Sequence, residues 1–544
     1  MSGPETAEVN DLQAAFRIKQ VELINSSFYF KSFNAGIENK GMDFSNMRFN
    51  PIDIELRDLE LMGDSIGFNI ENLMFKDASG FELRKLSSEF SLCDRFIWLR
   101  DYSIETGELT LDGKEIKLDF DRFSQFSVPG MYSNVTFNIN IDHAQGYVNG
   151  IKHFVPSFAG FKHKFAFAGQ VTGPLDNLKG KKISLQYANN TEFVGDFELK
   201  GLPDIQKTFI YANTKGLSSN KMEVEEIIGA FTGSMFKLPD VLAPFGVVSF
   251  NGVYAGLIDD FVTYGKFYTE LGEISTDILL SPAKNGQFGF NGKLRSNGLW
   301  LAPLLKSDSA AIGNISFSLS ANGNLLNDTI NAKVNGAVNS LEVNHYTYRN
   351  ILLSGVIREK DFKGMVSVKD SYLDFDFDGH VDFNSDTAHF DFSANLNSAN
   401  LYKLNIDTTD KKSTASFLLK AKGKATDASN FNGNISLINS LFVKSDKQLQ
   451  LYNVDLVAAR SKDSARLSVS SSFLDAEITG KYNFKTFLPA TLRALRSFVE
   501  AANLDTIHAA GLHDNSFKYS LAIKETRGIT NFLCLILKLA AIPL

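Results

Sequence analysis

Leu373-Asp374-Phe375-Asp376-Phe377-Asp378-Gly379-His380-Val381-Asp382-Phe383 carries an apolar residue or glycine at every second position, with polar residues between. Successive side chains of a β-strand point to opposite faces, so this stretch has one greasy face and one acidic face. Asn384-Ser385-Asp386-Thr387 is turn-like, and Ala388, Phe390, Phe392, Ala394 and Leu396 resume the alternation. The whole reads as a hairpin. Alternation marks antiparallel sheet with one buried and one wet face, whereas buried parallel strands read as continuous Val/Ile/Leu.

The pattern spreads outward in both directions. Phe137-Ile139-Ile141, Ile183-Leu185-Tyr187, Phe193-Gly195-Phe197-Leu199 and Ile274-Thr276-Ile278-Leu280 alternate in the same way. So do Phe288-Phe290-Gly292-Leu294, Ile330-Ala332-Val334-Gly336-Val338, Leu467-Val469-Ser471-Phe473 and Ala476-Ile478-Gly480-Tyr482-Phe484. One version recurs four times: Phe167/Gly169/Val171/Gly173, Phe250/Gly252/Tyr254/Gly256, Phe317/Leu319/Ala321/Gly323 and Phe417/Leu419/Ala421/Gly423. The copies start 83, 67 and 100 residues apart, so a β module is reiterated at uneven length.

Composition agrees. The 544 residues exceed one compact core and suit either several domains or a repeat array. Hydrophobic residues make up 44% and charged ones 22%, which excludes wholesale disorder. There are 47 Phe but only 12 Pro, and a ladder tolerates phenylalanine and rejects proline. The net charge of −7 argues against a nucleic-acid partner, which needs a basic face. Cys93 and Cys534 form no metal, redox or disulfide motif.

Helical spacing is rare. Met222–Phe236 holds Val224, Ile227, Ile228, Phe231 and Met235 in a stripe that Pro239 ends, and Thr486–Asn503 holds Leu488, Leu492, Leu495, Phe498 and Val499 with Pro489 near its first turn. Each is expected to cap or plug a sheet. The expected organisation is a disordered start over 1–11 and a first β segment over 12–165. A second segment covers 166–310 with a short helix near 222–238, a third covers 311–485, and 486–544 holds a helix plus a truncated β segment. Met1–Asp11 has no leader pattern, and no stretch reaches the roughly 18 apolar residues of a membrane span.

Catalytic signals are missing. Asp374, Asp376, Asp378 and Gly379 match half of a calcium loop, but Ser385 stands where a bidentate Glu belongs, so an acidic solvent-facing strand is the better reading. The eight histidines lack ligand spacing, and there is no phosphate loop, dinucleotide turn or nucleophile elbow. The chain is expected to be no enzyme and to need no cofactor. The functional constellation is the phenylalanine stripe itself. It forms either a closed sandwich core or the inner face of an open trough that binds acyl chains. The trough is favoured because no matched second set of elements exists to cover so many strands, and wide open sheets curl.

The chain resembles the TamB/AsmA-like envelope proteins of diderm bacteria, in the form typical of the Bacteroides lineage. The likeness runs over residues 12–525 through Phe165-Ala-Phe-Ala-Gly-Gln-Val-Thr-Gly-Pro-Leu-Asp-Asn-Leu178, Phe250-Asn-Gly-Val-Tyr-Ala-Gly256 and Asn339-Ser-Leu-Glu-Val-Asn-His-Tyr-Thr-Tyr-Arg-Asn-Ile351. Phe362-Lys-Gly-Met-Val-Ser-Val-Lys-Asp370 and Ala399-Asn-Leu-Tyr-Lys-Leu-Asn405 continue it. The resemblance implies a mainly β protein: an elongated, twisted antiparallel taco with a hydrophobic inner face and a few short helices. It also implies phospholipid transport between membranes and outer-membrane protein assembly from the periplasm. An inner-membrane anchor and an outer-membrane barrel partner of the Omp85/TamA type would be reached through terminal parts not visible here, and the chain reads as an internal fragment. About 40 strands at about 4.8 Å each would span on the order of 200 Å. The residues expected to contact acyl chains are Phe167, Val171, Phe193, Phe197, Phe250, Tyr254, Phe288, Phe290 and Phe317, then Leu373, Phe375, Phe377, Val381, Phe383, Phe390, Phe392, Phe417 and Leu419. The rival expectation is a cell-surface or secreted β-repeat scaffold or adhesin with closed cores.

Overall fold

Tight alternation produces long strands joined in chain order. The computed structural model describes residues 16–31, 42–43, 46–122, 125, 133–154, 156–233, 235–282, 288–305, 311–326, 329–427, 430–461, 464–481, 516–525, 528–529 and 532. The chain separates into two compact units, 1–281 and 282–544. The expected boundary at 165 falls at the start of a strand, and those at 310 and 485 lie outside the described residues. The described residues hold 27 strands, fewer than the 40 anticipated. The reason is length: the strands run from 7 to 17 residues, where about 5–6 is typical.

Unit 1 contains β1 (Phe16–Lys31), β2 (Asn46–Met62), β3 (Ser65–Asp77), β4 (Glu82–Leu92), β5 (Phe96–Thr106), β6 (Leu109–Asp119) and β7 (Thr136–Tyr147). It continues with β8 (Lys164–Pro174), β9 (Asn177–Tyr187), β10 (Thr191–Lys200), β11 (Phe209–Asn220), β12 (Val247–Gly256), β13 (Phe261–Thr269) and β14 (Gly272–Pro282). Every strand pairs antiparallel with its chain neighbours. Helix α1 (Lys221–Thr232) interrupts the meander between β11 and β12. It falls on the predicted stripe, starts where Asn220 accepts from the Glu223 N–H at 2.9 Å, and stops at Gly233 with φ 66°.

Unit 2 contains β15 (Phe288–Trp300), the short α2 (Ala302–Leu305), β16 (Ile312–Leu326), β17 (Thr329–Val343), β18 (Tyr346–Arg358), β19 (Asp361–Lys369) and β20 (Leu373–Asp382). β21 (Ala388–Asn400), β22 (Thr414–Ala425), β23 (Asn432–Lys444), β24 (Lys447–Arg460), β25 (Ala465–Ser471), β26 (Leu474–Lys481) and β27 (Ser516–Ile523) follow, again all antiparallel to their neighbours. Neither unit closes into a barrel. Among the described residues β1 pairs only with β2, and β27 only with β26. The protein is thus mainly β, an open antiparallel sheet with few short helices. The predicted helix over 486–503 and the tail after 532 lie outside the described residues, as does the segment 1–11.

A bend line crosses the strands of unit 1. Tyr102 sits opposite Gly113, Gly113 opposite Ile141, and Ile141 opposite Gly169. Farther along, Ile183, Gly195, Thr214, Gly252, Gly265 and Thr276 are paired in series. The ladder slips at the same places, beside Gly113, Gly195 and Thr214. A bulge of this kind bends and twists a strand. The inner side of the bend is crowded, so a large side chain fits only against glycine. Tyr102 is 2% exposed, and a Cβ on Gly113 would stand 2.6 Å from its Cζ. The Tyr102 hydroxyl donates to the Asn140 carbonyl at 2.9 Å, and burial, then Asp142 and Asp112, push its pKa up.

In unit 2 the connection 401–413 folds back on the sheet. Leu404 is 1% exposed and packs with Leu396, Ala399 and Ala415, flanked by Tyr346, Phe375 and Phe442. Reciprocal amide bonds pin it, Asn344 to the Asn405 carbonyl at 3.0 Å and Asn405 to the Asn344 carbonyl at 3.1 Å.

Candidate hydrocarbon-binding face

Residues directly opposite in an antiparallel ladder share a face, so the register maps which side chains line it. In unit 1 one row passes from Leu86 through Ile104 and Leu111 to Ala144. It continues through Phe167, Leu185, Phe193, Leu217, Phe250 and Phe267 to Ile274. Every position from β4 to β14 is apolar. In unit 2 a row runs Phe290, Gly323, Ala332, Ile357, Phe362, Val381, Phe390. Gly423, Gly433, Ala458, Leu467, Ile478 and Tyr519 extend it to β27. A parallel row holds Leu294, Leu319, Gly336, Leu353, Val366, Phe377, Ala394 and Leu419. Each unit therefore carries one continuous apolar face.

The candidate residues fall on these faces with one exception. Phe167, Phe193 and Phe250 share the first row, while Val171 faces Ile139, Phe197 faces Ala212 and Tyr254 faces Thr263. Phe317, Phe375 and Phe417 lie in a third row of unit 2, Leu373 faces Ala399, Phe392 faces Gly379, and Phe288 faces Leu325. Phe377 lies 5.4 Å from Phe392, and Phe390 stacks 5.9 Å from Phe431. Phe383 does not join them. It follows the end of β20 and is 55% exposed, because alternation continues into the turn where the sheet has already stopped. Sequence reading passed over Ile351, Leu353, Val366, Leu437 and Leu456, which share the face. Their signal was the same alternation without phenylalanine.

Coverage of these side chains is uneven: Phe250, Phe317, Ile351, Leu396 and Leu467 are buried. Phe167, Phe193, Phe377, Phe390 and Phe392 are half-buried, and Phe288, Tyr519 and Leu521 are exposed. Among the described residues the cover over these rows is local, by α1 and Asp240–Phe245 in unit 1 and by the connection 401–413 in unit 2. A sandwich core would bury such residues. The opposite face is charged: Lys369 reaches Asp374 at 2.5 Å and Asp376 at 2.9 Å, and Lys422 reaches Asp391 at 2.8 Å. The half calcium loop is thus an ordinary strand whose carboxylates bind Lys369, with Ser367 donating to Asp376 at 2.6 Å. Among the described residues no cluster suits a metal ion, and no helix is long and apolar enough to cross a membrane.

One place on the unit 1 face is roofed. α1 and a 3-10 turn (Asp240–Phe245) stand over β11–β14. Polar anchors hold the helix at the sheet edge: Glu223 accepts from the Asn190 amide and, at 2.6 Å, from Thr191, and Tyr187 donates to Glu226 at 2.8 Å. Glu225 binds Lys221 at 2.8 Å, Lys237 at 2.9 Å and the Leu238 N–H at 2.9 Å, and these three pull its pKa to about 2. A depressed carboxyl stabilises the fold fully above its usual 4.5 and loses that contribution as pH falls toward 2. Amide exchange of α1, corrected for its intrinsic pH dependence, is expected to accelerate across this window. Glu225→Gln should flatten that acceleration, and an identical profile in the variant would remove Glu225 from the latch.

Compared with known protein families, curated proteins and solved structures, the chain matches none.

Proposed function

We propose that the protein is a non-enzymatic β-groove that carries phospholipid between the membranes of a cell envelope. The observation that supports this is the unbroken apolar row on each unit, along which Phe167, Phe193, Phe377, Phe390 and Phe392 stay only half-buried. Such a face replaces the bilayer for acyl tails, gaining about 0.8 kcal/mol for each methylene removed from water. Burial is non-directional, and one row resembles the next, so a tail can shift from strand to strand, about 4.8 Å at a time, without a deep trap. Headgroups stay in water beyond the strand ends. On this reading the protein works in the periplasm, and the anchor, the barrel partner and a role in outer-membrane protein assembly follow from the resemblance to TamB-like proteins.

Native mass spectrometry with lipid extraction on the full chain, purified from a bacterial periplasm, tests the reading. Several phospholipids per chain are expected. A stable lipid-free monomer would overturn it and favour a scaffold whose faces are covered by protein.

A further inference from the structure

We propose that the space beneath α1 is a dedicated acyl-chain site, in which a single hydrocarbon chain lies between the sheet and its helical roof. The floor is one register row, Leu217, Phe250, Phe267 and Ile274, with the Phe250 and Phe267 rings 4.6 Å apart. The roof is Val224 of α1 with Leu238, Leu242 and Phe245. Between them is a cavity of about 390 Å³, within the usual range of small-ligand pockets.

Its chemistry selects the occupant. The few polar groups at its wall are already satisfied by protein. Thr269 donates to the Gly272 carbonyl at 2.9 Å and accepts from the Leu271 N–H at 3.1 Å. Ser219 is bonded to Thr191 at 2.7 Å, and the Asn220 carbonyl-type oxygen is taken by the Glu223 N–H. Lys221 is held by Glu225 at 2.8 Å and Asp240 at 3.2 Å. Water needs two to four polar partners to occupy such a space, and a polar ligand needs free ones. A hydrocarbon needs none.

The cavity also does not close. Voids are costly in proportion to their volume, and apolar walls collapse where they are free to move. Here the helix is fastened to β9 and β10 through Glu223 and Glu226, and Glu225 ties it to the following connection at Lys237 and Leu238, which fixes the height of the roof above the floor. The floor row continues into the open face through Phe193 and Leu185, so a tail lying on the sheet can pass its end under the roof.

This inference rests on the lipid reading of the face, and one experiment separates the two. The full chain is photolabelled with palmitic acid bearing a tail diazirine and, in parallel, with phosphatidylcholine carrying the same acyl chain. Adducts are expected on peptides spanning residues 217–274, from the first probe if the site takes free fatty acid and from the second if it takes a phospholipid tail. Val224→Trp fills the cavity from the roof and should cut these adducts about tenfold while sparing those on unit 2. Leu242→Trp, at a more exposed position, serves if the first variant misfolds. Adducts only elsewhere on the sheet would overturn the roofed site and leave the conduit standing. Adducts beneath α1 in a protein that extracts with no phospholipid would keep the site and sink the conduit. No adduct from either probe would overturn both.

Discussion

Gly252→Val is expected to destabilise unit 1 by about 3 kcal/mol or more. Gly252 has φ 155°, a conformation side chains rarely adopt, and lies on the bend where β12 meets β13. A Cβ there would stand 2.3 Å from the Tyr264 carbonyl oxygen and 2.7 Å from the Gly265 Cα. Both obstacles are backbone, so neither can rotate away, and relief requires breaking the ladder. Gly216→Ala on the adjacent strand is the control: its nearest neighbour is the Val194 Cβ at 3.9 Å, and the change is expected to stay within about 1 kcal/mol. Denaturant unfolding followed by far-UV circular dichroism reads both. Equal midpoints for the two variants would mean that the bend does not need glycine.

Replacing Phe377 and Phe392 together by Asp should lower the phospholipid carried by the protein about tenfold or more. The two rings lie 5.4 Å apart on adjacent strands, half-buried, in the middle of the unit 2 face. Two carboxylates there would have to lose water whenever a tail passed, which a hydrocarbon cannot repay. The fold should survive, because both positions already border solvent. Asp376→Asn alters the opposite face of the same strand and should leave lipid unchanged. Undiminished lipid in the double variant would show that the tails do not run over this face.

Strand identity was legible because alternation is a local signal. The hairpin at 373–396 forms β20 and β21, and the four phenylalanine copies fall on β8, β12, β16 and β22. The stripe at 222–236 forms α1 only as far as Thr232, because Gly233 rather than Pro239 ends the helix and leaves Met235 exposed beyond it. What escaped depends on register between strands. Tyr102 and Gly113 look unrelated until the β5–β6 ladder sets them face to face. Gly252 reads in the sequence as one more step of the alternation, yet it serves a bend inside β12. Phe383 kept the period but lost its strand, and the cavity under α1 exists only because a connection folds back over a row made by four other segments.

The strict neighbour-to-neighbour order of the strands has an evolutionary consequence. A strand that depends only on the one before it and the one after it gives low contact order and can form as the chain emerges. Duplicating or deleting two consecutive strands restores the direction of everything downstream and keeps each side chain on its original side. Such a sheet can change length in steps of one hairpin, and the phenylalanine modules on β8, β12, β16 and β22 are four, four and six strands apart, an even number each time, as whole hairpins require.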